Sequence, residues 1–300
     1  MTQPKLITVP REVEGLPLIV SVSGGKDSTA LLLAMREAGL TFRAVFADTF
    51  WEAPETYSYL DLLRSRLGLT IDVVSKPGGM PAAIEQRAGF PSRMGRWCTR
   101  ELKIEPLRAY HDEHGGETVS VIGVRAAESV ARSKMVELED EPQGRRSWGG
   151  WIWRPLLSWS IADVLRIHSR HGLPVNPLYQ RGHNRVGCYP CIFAQKAEIE
   201  LIADHAPARV AEIDRLEIGQ TAERARRNAE TPGRYAYNEA TFFQARVGVK
   251  FMPIKSVVDW SRTSRGGYQL NLLQEPPKGG CMSWGLCDTP AGDPVEGGDT

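Results

Sequence analysis

The sequence predicts an α/β fold, a mostly parallel sheet flanked by helices, and three observations carry that prediction. Short apolar runs of β type alternate with helical runs through the first half of the chain. A glycine turn, Ser23-Gly24-Gly25-Lys26-Asp27-Ser28, joins the first apolar run to the first helical one. The 300 residues, 42% of them hydrophobic and 24% charged, suit one large or two modest globular domains.

Residues 18–22 read as the first strand and 28–38 as the helix after the turn. Residues 42–47 form a second strand, and 55–67 a helix with apolar residues at helical spacing. Residues 71–74 and 119–124 are further strands. Residues 76–97, rich in Gly, Pro and Arg, read as a loop, and 132–150 as a mobile segment. Residues 160–171 form a helix with Ser160 as its N-cap, and 198–227 are mostly helical and strongly charged. The Pro- and Gly-rich end reads as irregular, with a disordered acidic stretch after Pro290. Four of the eight tryptophans (Trp148, Trp151, Trp153, Trp159) crowd together, which suggests core packing beside a pocket.

The turn makes a phosphate cradle. Its glycines allow a tight bend and close approach of a ligand. The helix that follows offers free N–H groups and the positive end of its dipole. Ser23 and Ser28 add hydroxyls and Lys26 a positive charge. It is not the common P-loop, in which Gly-Lys-Ser/Thr closes the motif, because here Lys26 precedes Asp27. Ligands of parallel sheets gather at the carboxyl ends of strands, so Asp48, after the second strand, can share the edge with the cradle.

The net charge of +1 argues neither for nor against a nucleic-acid partner. No stretch approaches a membrane span, and the N-terminus lacks a signal-peptide pattern, so a cytoplasmic protein is expected. The odd number of cysteines (Cys98, Cys188, Cys191, Cys281, Cys287) points away from a disulfide framework. Cys188-Tyr-Pro-Cys191 fits a redox dithiol, half a zinc site or half an iron–sulfur site.

The Ser-Gly-Gly-Lys-Asp-Ser string resembles the PP-loop of the ATP pyrophosphatases, which cleave ATP between its α- and β-phosphates and adenylate a substrate. A wider likeness runs through residues 18–195. It includes Asp48-Thr-Phe-Trp51-Glu52, Pro54-Glu-Thr56, Cys98 through Lys103 to Pro106-Leu107, Gly123-Val-Arg125 and Glu128-Ser129. Trp153-Arg154-Pro155-Leu156-Leu157, Asn176-Pro-Leu-Tyr179 and Arg185-Val-Gly-Cys188-Tyr-Pro-Cys191 extend it. These motifs resemble the phosphoadenosine-phosphosulfate reductase family. Two departures stand out. Thr99 occupies the place of the second cysteine of a Cys-Cys pair, and the end of the chain, Cys281-Met-Ser-Trp-Gly-Leu-Cys287, differs from the reductases' reactive tail. The intact phosphate loop makes the chain look closer to the ATP-splitting sulfurtransferase branch, with its DNA phosphorothioation enzymes and iron–sulfur tRNA thiolases.

The resemblance implies a PP-loop (adenine nucleotide alpha hydrolase-like) domain over 1–195. Residues 196–300 would be a helical and irregular extension that carries cysteines and closes over the site. ATP and Mg²⁺ would bind Ser23, Gly24, Gly25, Lys26, Asp27, Ser28, Asp48 and Glu52. Lys26, Asp27, Lys103 and Arg125 would act on the phosphates, with Cys287 as a reactive thiol. Cys98, Cys188, Cys191 and Cys281 would hold a 4Fe-4S cluster, with zinc as the alternative. The expected function is an ATP-dependent, pyrophosphate-releasing sulfurtransferase, served by a sulfur donor such as a cysteine desulfurase and acting on DNA or tRNA. The alternatives are a sulfonucleotide reductase and a non-catalytic nucleotide-binding module with structural zinc. Two basic clusters (Arg93, Arg96, Arg100, Lys103, Arg108, and Arg224, Arg226, Arg227) offer tracks for a phosphate backbone.

Overall fold

The computed structural model describes residues 5–141, 150–247 and 250–263. Strand β1 (Leu18–Ser21) is buried throughout and leads through the glycine turn into α1 (Lys26–Glu37). β2 (Arg43–Asp48), α2 (Pro54–Leu67) and β3 (Ile71–Ser75) follow. After α3 (Gly79–Arg87), the short α4 (Trp97–Thr99) passes through a π-turn (Arg100–Ile104) into α5 (Glu105–Glu113). β4 (Val119–Val121), β5 (Leu138–Glu141) and β6 (Gly150–Trp153) complete the sheet, with α6 (Ile161–Arg170) and α7 (Pro177–Gln180) behind them. Beyond lie α8 (Lys196–His205), α9 (Pro207–Glu230), a ribbon of β7 (Arg246–Val247) and β8 (Lys250–Phe251), and α10 (Ile254–Ser261).

The six-stranded sheet has the order β3-β2-β1-β4-β6-β5. Every neighbouring pair is parallel except β5 with β6. Alternate residues of a strand face opposite sides, and β1 divides accordingly. Leu18 and Val20 join a cluster with Leu31, Leu33 and Met35 of α1, Leu60 of α2 and Ile167 of α6. Ile19 joins Val45, Leu107 and Tyr110 on the face covered by α5. The chain turns from one side of the sheet to the other at β1, whose neighbours are β2 and β4. That reversal opens a crevice at the carboxyl ends of the strands, where such sheets take ligands. The glycine turn lies there.

The structure departs from the sequence expectations in four places. The expected loop at 76–97 contains α3. Gly78 and Gly79 both take positive φ, Met80 donates its N–H to the Thr49 carbonyl at 2.8 Å, and Met80, Ala83 and Ile84 are buried. A Cβ on Gly79 would sit 2.4 Å from that carbonyl oxygen, so the glycine pair opens a helix packed against the end of β2. The strand expected at 119–124 ends at Val121, because Val124 bonds back to Ile122. The segment expected to be mobile at 132–150 holds the antiparallel strand β5, and Trp148 lies outside the described residues. The helix expected at 198–227 is two helices, broken at Ala206-Pro207. Ser160 caps α6 by accepting the Asp163 N–H at 3.2 Å, and Trp153 and Trp159 are buried in the main core.

The helices beyond residue 195 do not build a separate core. Ile213 of α9, Phe242 and Val257 of α10 pack with Trp51, Met80, Leu102 and Ile192. Glu217 of α9 ties this region together, accepting the Phe242 N–H at 2.8 Å and the Ile254 N–H at 2.7 Å.

Burial, with a contribution from Asp214, pushes the Glu217 carboxyl up from 4.5 to about 7, against the pull of the two N–H donors. A raised carboxyl pKa means that the folded state keeps a proton the unfolded state has lost. Its stabilising contribution is full below pH 4.5 and disappears as pH rises through 7. Urea unfolding should show wild type losing on the order of 3 kcal/mol more than Glu217→Gln across this window.

Candidate functional site

The glycine turn is held in shape by α6 and α7. Gly24 has φ +72°, and a Cβ there would lie 3.0 Å from the Thr56 methyl. Its carbonyl accepts from Asn176 Nδ2 at 3.1 Å. Lys26 N–H donates to the Tyr179 hydroxyl at 3.2 Å, and the Lys26 carbonyl lies 2.9 Å from His168 Nε2. Ser28 Oγ accepts the Ser23 N–H at 3.2 Å and donates to the Gly25 carbonyl at 3.1 Å.

The charges assigned from sequence meet at the start of α1. Asp27 Oδ2 is 3.2 Å from Lys26 Nζ, and Asp27 Oδ1 accepts from Arg125 Nε. Burial works against the Lys26 ammonium, yet Tyr179 and Asp27 hold its pKa above the ordinary value. Arg125 is brought here by β4. Gly123, just after that strand, lies so close to α1 that a Cβ would sit 2.9 Å from the Asp27 carbonyl oxygen. Arg125 is buried, and its N–H donates to Glu128 at 2.9 Å.

Asp48 and Glu52 both serve the loop after β2. Asp48 Oδ1 accepts from the Phe50 N–H and the Tyr57 hydroxyl, each at 2.8 Å. Glu52 accepts from the Thr49 hydroxyl at 2.7 Å and from the N–H groups of Thr49 and Trp51 at 3.2 Å. Burial raises the Glu52 pKa and nearby Asp48 adds to the rise, while Lys103 and the Thr49 bond oppose it. This loop is stitched to the cysteine turn. Glu52 bridges Cys188 in antiparallel fashion, Tyr189 N–H donates to the Trp51 carbonyl at 2.7 Å, and Trp51 Nε1 donates to the Pro190 carbonyl at 3.1 Å.

Two pockets meet at Lys103. The first, about 330 Å³, lies at the ends of β1 and β2 and is lined by Ser21, Ser23, Ala47, Glu52, Gly187 and Lys103. The second, about 400 Å³, is lined by Cys98, Cys188 and Cys191 with Thr49, Arg96, Thr99 and Lys103. Cys98 comes from α4 and Lys103 from the π-turn, a helical irregularity frequent at functional sites. Burial opposes the Lys103 charge, but Cys188, Glu52, Cys191 and Cys98 around it hold its pKa up. Burial and the other two thiols push Cys98 up to about 12, and burial raises Cys188 as well.

The donor chemistry of the second pocket suits a thiolate-bound group. Its three thiols are free, soft donors, and at Cys98 and Cys188 burial penalises the thiolate, a cost that a bound metal or cluster offsets. No group of three or more His, Cys, Asp or Glu stands at metal-holding distances among the described residues. Cys281 and Cys287 lie outside the described residues.

The expected basic tracks are largely engaged. Arg100 pairs with Glu101 at 2.8 Å and Glu105 at 3.3 Å, and Lys103 is buried. Arg226 and Arg227 pair with Glu223 at 2.8 and 2.7 Å. Arg224 donates to the carbonyls of Ala88 and Glu239 at 2.5 and 2.9 Å. Thr49, Tyr57 and Trp51 carry no separate signal in the sequence, nor does Tyr179 beyond its place in a motif. Tyr179 stands in the Asn176-Pro-Leu-Tyr179 run, and its hydroxyl is the contact that a residue-by-residue reading of that run misses. Among the described residues no helix is long and apolar enough to cross a membrane.

Comparison with known proteins adds the following. Residues 17–194 match the family described as "Phosphoadenosine phosphosulfate reductase domain". The "Uncharacterized 37.8 kDa protein in gpa 5'region" of Escherichia phage 186 is 35% identical over 309 residues, covering 85% of this chain and 91% of that protein. The adenosine 5'-phosphosulfate reductase of Deinococcus radiodurans is 28% identical over 170 residues, covering 57% of this chain and 64% of the reductase. The chain spans only 39% and 44% of two Methanocaldococcus jannaschii relatives. The crystal structure of phosphoadenylyl-sulfate reductase from Candida auris aligns with a TM-score of 0.47 at 18% identity, covering 60% of this chain and 84% of that one.

With Cys98 raised to about 12, its thiol is almost wholly protonated near neutrality. Only the thiolate attacks alkylating agents. In metal-free protein at pH 8, iodoacetamide should therefore modify Cys98 more slowly than free cysteine by about two orders of magnitude or more, as mass spectrometry of the digested protein would show.

Proposed function

The chain belongs to the phosphoadenosine phosphosulfate reductase domain family, and on that premise we propose that it is an ATP-dependent, adenylating sulfurtransferase. One observation carries this reading. Lys103 lines both the pocket beside the glycine turn and the pocket of three thiols. Phosphate chemistry and sulfur chemistry thus adjoin across one buried cation.

The intact Ser-Gly-Gly-Lys-Asp-Ser turn supports ATP as the nucleotide. The phosphates would lie at the start of α1, where backbone N–H groups, the helix dipole and Lys26 stabilise negative charge. Asp27 and Asp48 are the carboxylates that would hold Mg²⁺ there. Asp27 at present pairs with both Lys26 and Arg125, so recruiting it to a metal leaves both cations to the phosphate oxygens. An acceptor oxygen attacks the α-phosphorus, the α–β bridge breaks and pyrophosphate leaves. Sulfur then displaces AMP from the adenylated acceptor. Cys98, Cys188 and Cys191 would hold a 4Fe-4S cluster, with Cys281 as a fourth ligand and zinc as the alternative, and such a cluster supplies sulfur- or electron-transfer chemistry. Cys287 remains the proposed reactive thiol. The acceptor would be DNA or tRNA, and the sulfur donor a protein such as a cysteine desulfurase.

A second reading has a specific observation behind it. Relatives from Deinococcus radiodurans and Allochromatium vinosum, 28% and 27% identical, are named adenosine 5'-phosphosulfate reductases. A sulfonucleotide reductase would use the same cradle for its nucleotide, with Lys103 and Arg125 against the sulfated phosphate.

Incubation of anaerobically purified protein with ATP, the acceptor and the sulfur donor separates the two. Release of AMP and pyrophosphate supports the sulfurtransferase. Sulfite formed from a sulfonucleotide and a dithiol reductant, with no pyrophosphate from ATP, supports the reductase and overturns the first reading. Lys26→Ala should lower pyrophosphate release by about 100-fold or more while leaving iron and acid-labile sulfide content unchanged.

A further inference from the structure

We infer that Arg209, which lies outside the family-matched stretch, is a positioning residue that clamps the loop between the two pockets and couples them. Its side chain is 16% exposed, and its guanidinium lies over the Trp51 ring, 4.4 Å from the centroid. Nη2 donates to the Glu52 carbonyl at 3.3 Å, and Nη1 is steadied by Glu212 one turn along α9 at 2.9 Å.

The residue under that guanidinium holds the thiol turn. Trp51 is fully buried. Its indole N–H and its carbonyl bond Pro190 and Tyr189, the two residues between Cys188 and Cys191. Its ring stacks on Phe242, with centroids 5.9 Å apart and planes at 21°. The next residue, Glu52, lines the strand-end pocket and sends its carboxylate back to Thr49 and Trp51. Thr49 in turn places its hydroxyl 4.0 Å from Cys188 Sγ. A shift of Glu52 on the nucleotide side is therefore transmitted to Trp51 and on to the cysteine turn.

Arg209 makes this segment rigid. One planar cation holds an aromatic face and the following peptide carbonyl together, which restricts Trp51 and Glu52 as a unit. The coupling rests on the reading that the nucleotide enters at the ends of β1 and β2. The clamp itself does not depend on that reading.

Hydrogen exchange by mass spectrometry on the full chain, with and without ATP, tests both parts. Without nucleotide, the peptide 186–192 should exchange about fivefold faster in Arg209→Ala than in wild type, while peptides of β1 and α1 keep their rates. With ATP, wild type should gain protection at 23–28 and at 186–192, and Arg209→Ala at 23–28 alone. Arg209→Lys keeps a cation over the indole and should retain most of the distant protection. A helix-docking role alone would not produce this nucleotide-dependent difference. Wild-type exchange at 186–192 in nucleotide-free Arg209→Ala overturns the clamp, and full ATP-dependent protection there in the variant overturns the coupling. If ATP protects neither segment in wild type, the nucleotide reading fails, and the nucleotide-free comparison still decides the clamp. Should Arg209→Ala not fold, Arg209→Gln, which keeps part of the stem and removes the charge, takes its place under the same criteria.

Discussion

A buried ammonium cannot persist among apolar side chains without negative or polarisable partners, and Lys103 imposes that demand on the whole site. Glu52 answers it from one side and the thiols of Cys98, Cys188 and Cys191 from the other. These groups come from the loop after β2, from α4 and from the turn before α8. Each segment is brought in by a different mechanism: a strand end, a helix interrupted by a π-turn, and a turn bonded to Trp51. The electrostatic need and the backbone stitching reinforce each other. Glu52 is held in place by Thr49 and Trp51, and Trp51 holds the turn that carries the thiols.

The parts legible in the sequence were those with local signatures. The alternation of apolar runs matches the sheet and its flanking helices, and the glycine turn matches the join between β1 and α1. Ser160 was readable as a cap because Asp163 completes a local reciprocal pair. The residues that escaped are defined by contacts across the chain. Gly78 and Gly79 look like a loop until the Thr49 carbonyl is placed beside them, and only then does the pair become the opening of α3. Arg209 has nothing in its neighbourhood in sequence to set it apart from other arginines on a charged helix. Its meaning comes from Trp51, far away in sequence. The charge of Arg226 and Arg227 suggested a polyanion track, whereas Glu223, three and four residues earlier, already engages both.

The glycine turn shows how a motif depends on its supports. Its outline follows from Gly24 and the start of α1, but its hydrogen bonds reach Asn176, Tyr179 and His168. Those three residues belong to the half of the unit made after β6. This edge of the sheet is thus assembled from both ends of the unit, as the thiol pocket is.

The shared core of Trp51, Met80 and Leu102 with Ile213, Phe242 and Val257 bears on how the chain is made. Synthesis proceeds from the amino end, so the first three of these side chains leave the ribosome long before the last three exist. During that interval the wall behind the cysteines stands open to water. The pocket of three thiols is therefore walled in only on the nearly finished polypeptide, and a fragment ending at Cys191 would present a bare apolar flank to other proteins in the cell.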